Sequence, residues 1–188
     1  MYPLTTTTTR IDACGPCGQG RSIRFRLGTE PSDQPISYEQ LLDTLGLNDA
    51  LWCCRAEPDM APVWRRYAVW CARRVQYLVD QRLINALDVA ERHASGNASD
   101  EELATAEVAT WSAGGAVWTA PARNAATRDA ADAALNAAVA SWVAWETART
   151  DALEDDPAGA EAEWEDWRAF LDAQAAAFRQ LVTNGTLP

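Results

Sequence analysis

Three groups of residues in this chain have the types and spacing to do chemistry. The first is Cys14-Gly15-Pro16-Cys17, whose CxxC spacing suits a zinc half-site or a thiol–disulfide centre. The second is His93, the one histidine among 188 residues. The third is charge. Between Glu146 and Asp172 stand ten acids and two arginines, a local balance of −8, whereas Ala61 to Arg82 holds five arginines and one acid, a balance of +4.

Each has a chemical reading and a plainer one. To close a tetrahedral zinc site, the CxxC pair would need Cys53, Cys54 or Cys71. Adjacent Cys53 and Cys54 point about 100° apart on a helix, and Cys71 falls on an apolar line. A redox centre would want a βαβ pattern beside it, and none is visible. Five cysteines, an odd count, behind an N-terminus (MYPLTTTTTR) without a basic and then apolar leader also argue against a disulfide framework. The expectation is buried or partly buried thiols, no metal and no cofactor. His93 follows Ala90-Glu91-Arg92 near a helix end, where capping the last carbonyls is the simpler role than acting as a base. The chain has no glycine-rich phosphate loop, no HExxH and no GxSxG, so an enzyme is not expected.

The acids Asp155, Asp156, Glu161, Glu163, Glu165 and Asp166 are the candidate binding residues. Two outcomes are open for them. Either the arginine segment neutralises them within the fold, or they survive as an exposed face for a basic partner. The whole chain carries a net charge of −11, with sixteen arginines and no lysine, which does not suit direct binding of nucleic acid. No stretch approaches the length of a membrane span, and a cytoplasmic location is the default expectation.

The elements that position these groups are helices. A single domain is expected, with 1–8 as a flexible lead because a threonine run has little to bury. Over 62–79, PVWRRYAVWCARRVQYLV, the residues Trp64, Ala68, Cys71, Val75 and Leu78 recur on one helical face. Val63, Trp70 and Tyr77 make a second apolar line, and Arg65, Arg66, Arg73 and Gln76 are left to the polar side. Arg74 projects inside the apolar arc, either lying along aromatic rings or meeting a buried acid. This segment is read as a central helix packed on two sides.

Helix starts are marked by Ser37 with Gln40, by Asn48, by Asp80, and by Ser99 ahead of Asp100, Glu101 and Glu102. Residues 29–36, TEPSDQPI, read as a loop, and Gly28, Gly46, Gly96 and Gly185 as stops. Gly114-Gly115 and Pro121 divide the alanine-rich half into helices over 100–118 and 122–152, with a last helix from Asp156-Pro157 to about Thr183. Trp111, Trp118, Trp142, Trp145, Trp164 and Trp167 are expected to supply most of the area buried there. No segment alternates with period two, so the class is all-α: a helical bundle with N-terminal (9–98) and Ala/Trp-rich (99–188) halves.

GLNDALWCCRA (46–56) and YAVWCARRVQYLVDQRLINALDVAERHASGNASDEELATA (67–106), with the Ala/Trp/Asp/Arg-rich tail, resemble a family of small helical proteins encoded by tailed phages and prophages. The Ala13-Cys14 turn and the leucine-bearing region near Gly28 are similar to its N-terminal half. The family's tail repeat is more regular; here Gly114-Gly115, Pro121 and Ala160–Asp166 interrupt it. The resemblance brings no active site. It implies a host-cytoplasmic protein, and with the acidic segment it suggests a non-enzymatic nucleic-acid mimic. Such a protein would dock on a basic host protein and act as an anti-defence, anti-CRISPR-like inhibitor. The other reading is an assembly protein whose acidic and basic faces pair in a homo-oligomer; a metal-dependent enzyme comes third.

Overall fold

The computed structural model describes residues 2–14, 18–28, 30–112, 119–127, 129–155 and 163–188. Among them the chain forms ten α-helices, three 3₁₀ turns and one two-stranded sheet, and the protein is all-α. The helices are α1 (Thr8–Ala13), α2 (Gly18–Leu27), α3 (Tyr38–Leu45), α4 (Leu47–Trp52) and α5 (Ala61–Arg73). They continue as α6 (Gln81–Ala94), α7 (Asp100–Ser112), α8 (Ala120–Ala126), α9 (Ala130–Asp155) and α10 (Glu163–Asn184).

Local signals set most of the boundaries. Ser37 and Gln40 make the expected capping box at α3, with the Gln40 N–H donating to Ser37 Oγ at 3.1 Å and the Ser37 N–H to Gln40 Oε1 at 3.0 Å. Asp80 caps α6 through the N–H groups of Arg82 and Leu83. At α7 the Ser99 N–H donates to Glu102 Oε2 at 2.8 Å, and the Glu102 N–H to Ser99 Oγ at 3.1 Å. The turns at Gly46 and Gly96 need φ of +83° and +74°, which glycine adopts without a steric cost. At α4 the cap is Gly46 rather than Asn48, and no side chain completes it.

α5 is the hub, packed against α6, α8, α9 and α10. Its Trp64 and Tyr67 meet Tyr38 of α3 and Phe178 of α10: Tyr38–Trp64 centroids are 5.0 Å apart and Tyr67–Phe178 centroids 5.3 Å. Each polar tip in this aromatic core is satisfied. Trp64 Nε1 donates to the Glu57 carbonyl at 3.0 Å, Tyr38 Oη to that of Cys53 at 3.0 Å, and Tyr67 Oη to that of Gln174 at 3.1 Å. On the other side α9 offers Ala133, Ala134, Ala137 and Ala138, all buried, so its axis can approach α5 closely.

Four expectations change. Residues 4–8 are part of the fold rather than a flexible lead: Thr5–Thr7 pairs antiparallel with Pro35–Ser37, where a loop was expected, and Leu4 is buried. Leu4 donates its N–H to the Val182 carbonyl at 2.8 Å, so α10 closes over the N-terminus. The ring of Tyr2 fills the space a Cβ would need at Gly185, whose φ is +84°. Threonine is well suited to strands, but three residues are too few for a period-two signal.

Second, the central helix ends at Arg73, and a 3₁₀ turn over Gln76–Leu78 follows. Third, α5 buries the expected line of Trp64, Ala68 and Cys71, but its second buried line is not the expected one. Arg65, Val69 and Ala72 are buried with Trp64, whereas Val63 and Trp70 are only partly covered and Tyr77 is exposed. Fourth, α8 ends at Ala126 and a separate α9 runs from Ala130 to Asp155, so the expected 122–152 helix is two elements. The 100–118 helix is described only to Ser112, and the expected start at Asp156-Pro157 lies outside the described residues.

Candidate functional site

The acidic segment spans the end of α9 and the start of α10. Asp155 is the last residue of α9, Glu163 and Glu165 lie in the first turn of α10, and Asp166 follows as an exposed side chain. Asp156 and Glu161 lie outside the described residues. The side chains of Asp155, Glu163 and Glu165 lie outside the described residues.

Among the described contacts, the arginines of 61–82 meet other partners. Arg73 of α5 meets Asp88 and Glu91 of α6 at 2.5 and 2.9 Å. Arg82 pairs with Asp80 at 2.6 Å, and Arg66 Nη1 donates to the Gly185 carbonyl at 3.1 Å. Arg74 takes the aromatic option: its guanidinium lies 5.1 Å from the Trp70 ring centroid and 4.3 Å from that of Phe170. Desolvation there lowers the Arg74 pKa from its ordinary value.

Arg65 was expected on the polar side, and the structure places it in the interior, 2% exposed. Its Nη1 donates to the carbonyl of Ala125 at 3.0 Å and to that of Thr127 at 2.7 Å, at the C-terminal end of α8. Burial lowers its pKa, offset by the charges of Asp129, Glu107 and Asp100. The sequence signal for this was faint: Arg65, Val69 and Ala72 share a line on which the other two residues are apolar. The acceptors are backbone carbonyls sixty residues away, which periodicity does not register.

His93 also differs from its expected cap. Its Nε2 lies 2.8 Å from Asp100 Oδ1, joining the end of α6 to the start of α7, and Arg92 reaches Glu102 beside it at 3.3 Å. Trp111 is exposed rather than core, with the Arg123 guanidinium 4.6 Å above its ring. Trp145 stacks on Phe170 at 5.1 Å, and Trp142 packs partly buried beside them. Trp118 lies outside the described residues. Among the described side chains the largest buried ones are Trp64, Arg65, Tyr38, Tyr67 and Phe178, of α3, α5 and α10; the side chains of Trp164 and Trp167 also lie outside the described residues.

Cys53, Cys54 and Cys71 are buried free thiols, and Cys14 is half-buried. Cys17 lies outside the described residues, and among the described ones no three metal-binding side chains converge. Burial pushes Cys53 and Cys71 each up to about 12, and Cys54 well above the ordinary thiol value. The folded state therefore holds these protons while the unfolded chain loses them from pH 9.0 upward. Their contribution is complete below that pH and is lost as pH rises toward 12, at about 1.4 kcal/mol per pH unit for each thiol. Denaturant titrations through this window should show a shallower decline for Cys71→Ala than for the parent protein; equal slopes would contradict a buried, protonated Cys71.

Comparison with protein-family models, curated proteins and solved structures finds no match to this chain. No helix among the described residues is long and apolar enough to cross a membrane.

Proposed function

We propose that this is a non-enzymatic binding protein that docks an acidic face on a basic protein surface. The face is built on Asp155, Asp156, Glu161, Glu163, Glu165 and Asp166. Its most concrete form is a phage-type anti-defence protein acting in a host cytoplasm, where a nucleic-acid-binding enzyme offers the basic surface. The acids would occupy it as a phosphate backbone does.

One observation carries this reading. Among the described contacts, Arg66, Arg73, Arg74 and Arg82 have carboxylate, carbonyl and aromatic partners other than the six docking acids. The cationic helix is spent on holding α5, α6 and the C-terminus together.

The test is retention of partners from bacterial lysate, identified by mass spectrometry, with the parent protein and a Glu161→Gln/Glu163→Gln/Glu165→Gln variant. Glutamine keeps size and helix propensity while removing charge. The association rate with the retained protein should fall roughly tenfold at low salt and lose most of its salt sensitivity, while the melting temperature holds. A folded variant that binds the same partner unchanged would refute the acidic face.

A further inference from the structure

Where the start of α4 meets the middle of α9 and of α10 lies a cavity of about 400 Å³. That volume falls within the roughly 300–1,000 Å³ of sites for small organic ligands. Its apolar walls come from Leu47 of α4, Trp142 of α9, and Leu171 and Ala175 of α10. The indole N–H of Trp142 is sealed from solvent, so that ring offers the cavity apolar surface and no donor.

One polar group of this cavity lacks a partner. Gln174 is 2% exposed and lines it. Its Nε2 donates to the Ala138 carbonyl at 3.0 Å and to Ser141 Oγ at 2.9 Å, which uses both amide protons. The Ala138 carbonyl can only accept, so the reverse orientation of the amide would set oxygen against oxygen. Ser141 Oγ gives its own proton to that same carbonyl at 3.0 Å and is likewise left to accept. Gln174 Oε1 therefore remains as a buried acceptor to which nothing among the described residues donates. Buried acceptors of this kind are rarely left unpaired. At the rim stand Asn48 of α4 and Asp172 of α10, both exposed, and Asp172 has no ion-pair partner among the described residues. No cationic side chain among the described residues lines the cavity.

We propose that this cavity binds a small hydrophobic amine, a protonated amino group carried on a ring or short apolar body. Gln174 Oε1 requires an N–H or O–H donor, and the Asp172 carboxylate favours a ligand that is cationic. Leu47, Trp142, Leu171 and Ala175 cover the apolar body. A carboxylate or phosphate ligand would leave the amide oxygen unpaired, and would meet both Asp172 and the repulsion of a chain of net charge −11. A plain hydrocarbon would fill the walls but strand the same oxygen away from water. Neither Gln174 nor Asp172 belongs to the six acids of the docking face, so this site stands or falls independently of that face.

Calorimetric titration of the full chain with tryptamine tests it, beside indole-3-propionate, which carries the same ring and the opposite charge. Tryptamine should bind saturably at one site per chain, and the propionate at least tenfold more weakly. Asp172→Asn, an exposed substitution, should weaken tryptamine binding roughly tenfold with an unchanged melting temperature. In nitrogen-15-labelled protein the Gln174 side-chain amide signals, identified by their loss in Gln174→Met, should move as tryptamine is added. The indole signal of Trp111, which does not line the cavity, should hold still. A parent protein that gives no saturable binding overturns the proposal. So does equal affinity for the amine and the propionate, which would reduce the site to an apolar patch. Unchanged affinity in Asp172→Asn, or Gln174 signals that stay in place, would put the ligand elsewhere and overturns it as well.

Discussion

Replacing Arg65 with alanine should cost about 3–5 kcal/mol of folding stability, as large as the loss from a core aromatic. The guanidinium is buried where α5 crosses the end of α8, and one nitrogen serves two carbonyls, those of Ala125 and Thr127. These are among the last carbonyls of α8, which have no intrahelical donor. A cation there satisfies them and complements the negative end of the helix dipole. Removing it strands buried acceptors and opens a side-chain-sized void, and each loss adds to the other. Lysine should rescue only in part, because a single ammonium does not reproduce the planar fork that holds Arg65 in register. Arg73→Ala makes the control. Arg73 bridges Asp88 and Glu91 on the outside of α6, and exposed pairs contribute about 0–1 kcal/mol. Urea titrations of the three variants decide the matter: Arg65→Ala within about 0.5 kcal/mol of the parent would put Arg65 back on the polar face, since surface substitutions stay in that range.

Trp64→Ala should likewise cost about 3–5 kcal/mol. The indole is 1% exposed, lies against Tyr38 and reaches Phe178 at 6.5 Å, and donates to the Glu57 carbonyl. Truncation removes the contact that ties α3 to α5 and α10 and leaves the Glu57 carbonyl with the Met60 N–H as its donor. Trp64→Phe separates the two contributions, since it keeps most of the apolar area and loses only the N–H. It should cost about 1–2 kcal/mol, the loss of one of the two hydrogen bonds to the Glu57 carbonyl plus a small void. Equal losses for Phe and Ala would assign the whole effect to the hydrogen bond and contradict the packing account. Either alanine variant removes a large part of the roughly 5–15 kcal/mol typical of a domain this size, so both should show a lower melting temperature as well.

The two substitutions mark different limits of reading a sequence. Trp64 was legible because its neighbours at three- and four-residue steps, Ala68 and Cys71, are apolar and are buried as that spacing implies. Arg65 was not, because a charged side chain defaults to water unless specific acceptors are present. Its acceptors belong to α8, and nothing between Arg65 and Ala125 announces that they will meet. Trp111 failed in the opposite direction: a large ring at a helical position promises burial, yet α7 turns it outward under Arg123.

The candidate surfaces divide in the same way. The density of acids from Asp155 to Asp166 and the net charge of −11 are properties of composition and need no coordinates. The fate of the arginines and the cavity among α4, α9 and α10 are properties of packing. Each depends on which helix lies beside which, and only the meeting of those three helices brings Leu47, Trp142 and Gln174 to one cavity.

By itself the sequence determined the helical class, the caps at Ser37, Asp80 and Ser99, and the stops at Gly46 and Gly96, because each rests on interactions spanning four residues or fewer. Tertiary structure alone decided the short strand of Thr5–Thr7, the burial of Arg65 on α5, and the break between α8 and α9. In each of these the local preference is weak. A backbone partner far along the chain, whether Ile36 for the strand or Ala125 for the arginine, supplies the free energy that settles it.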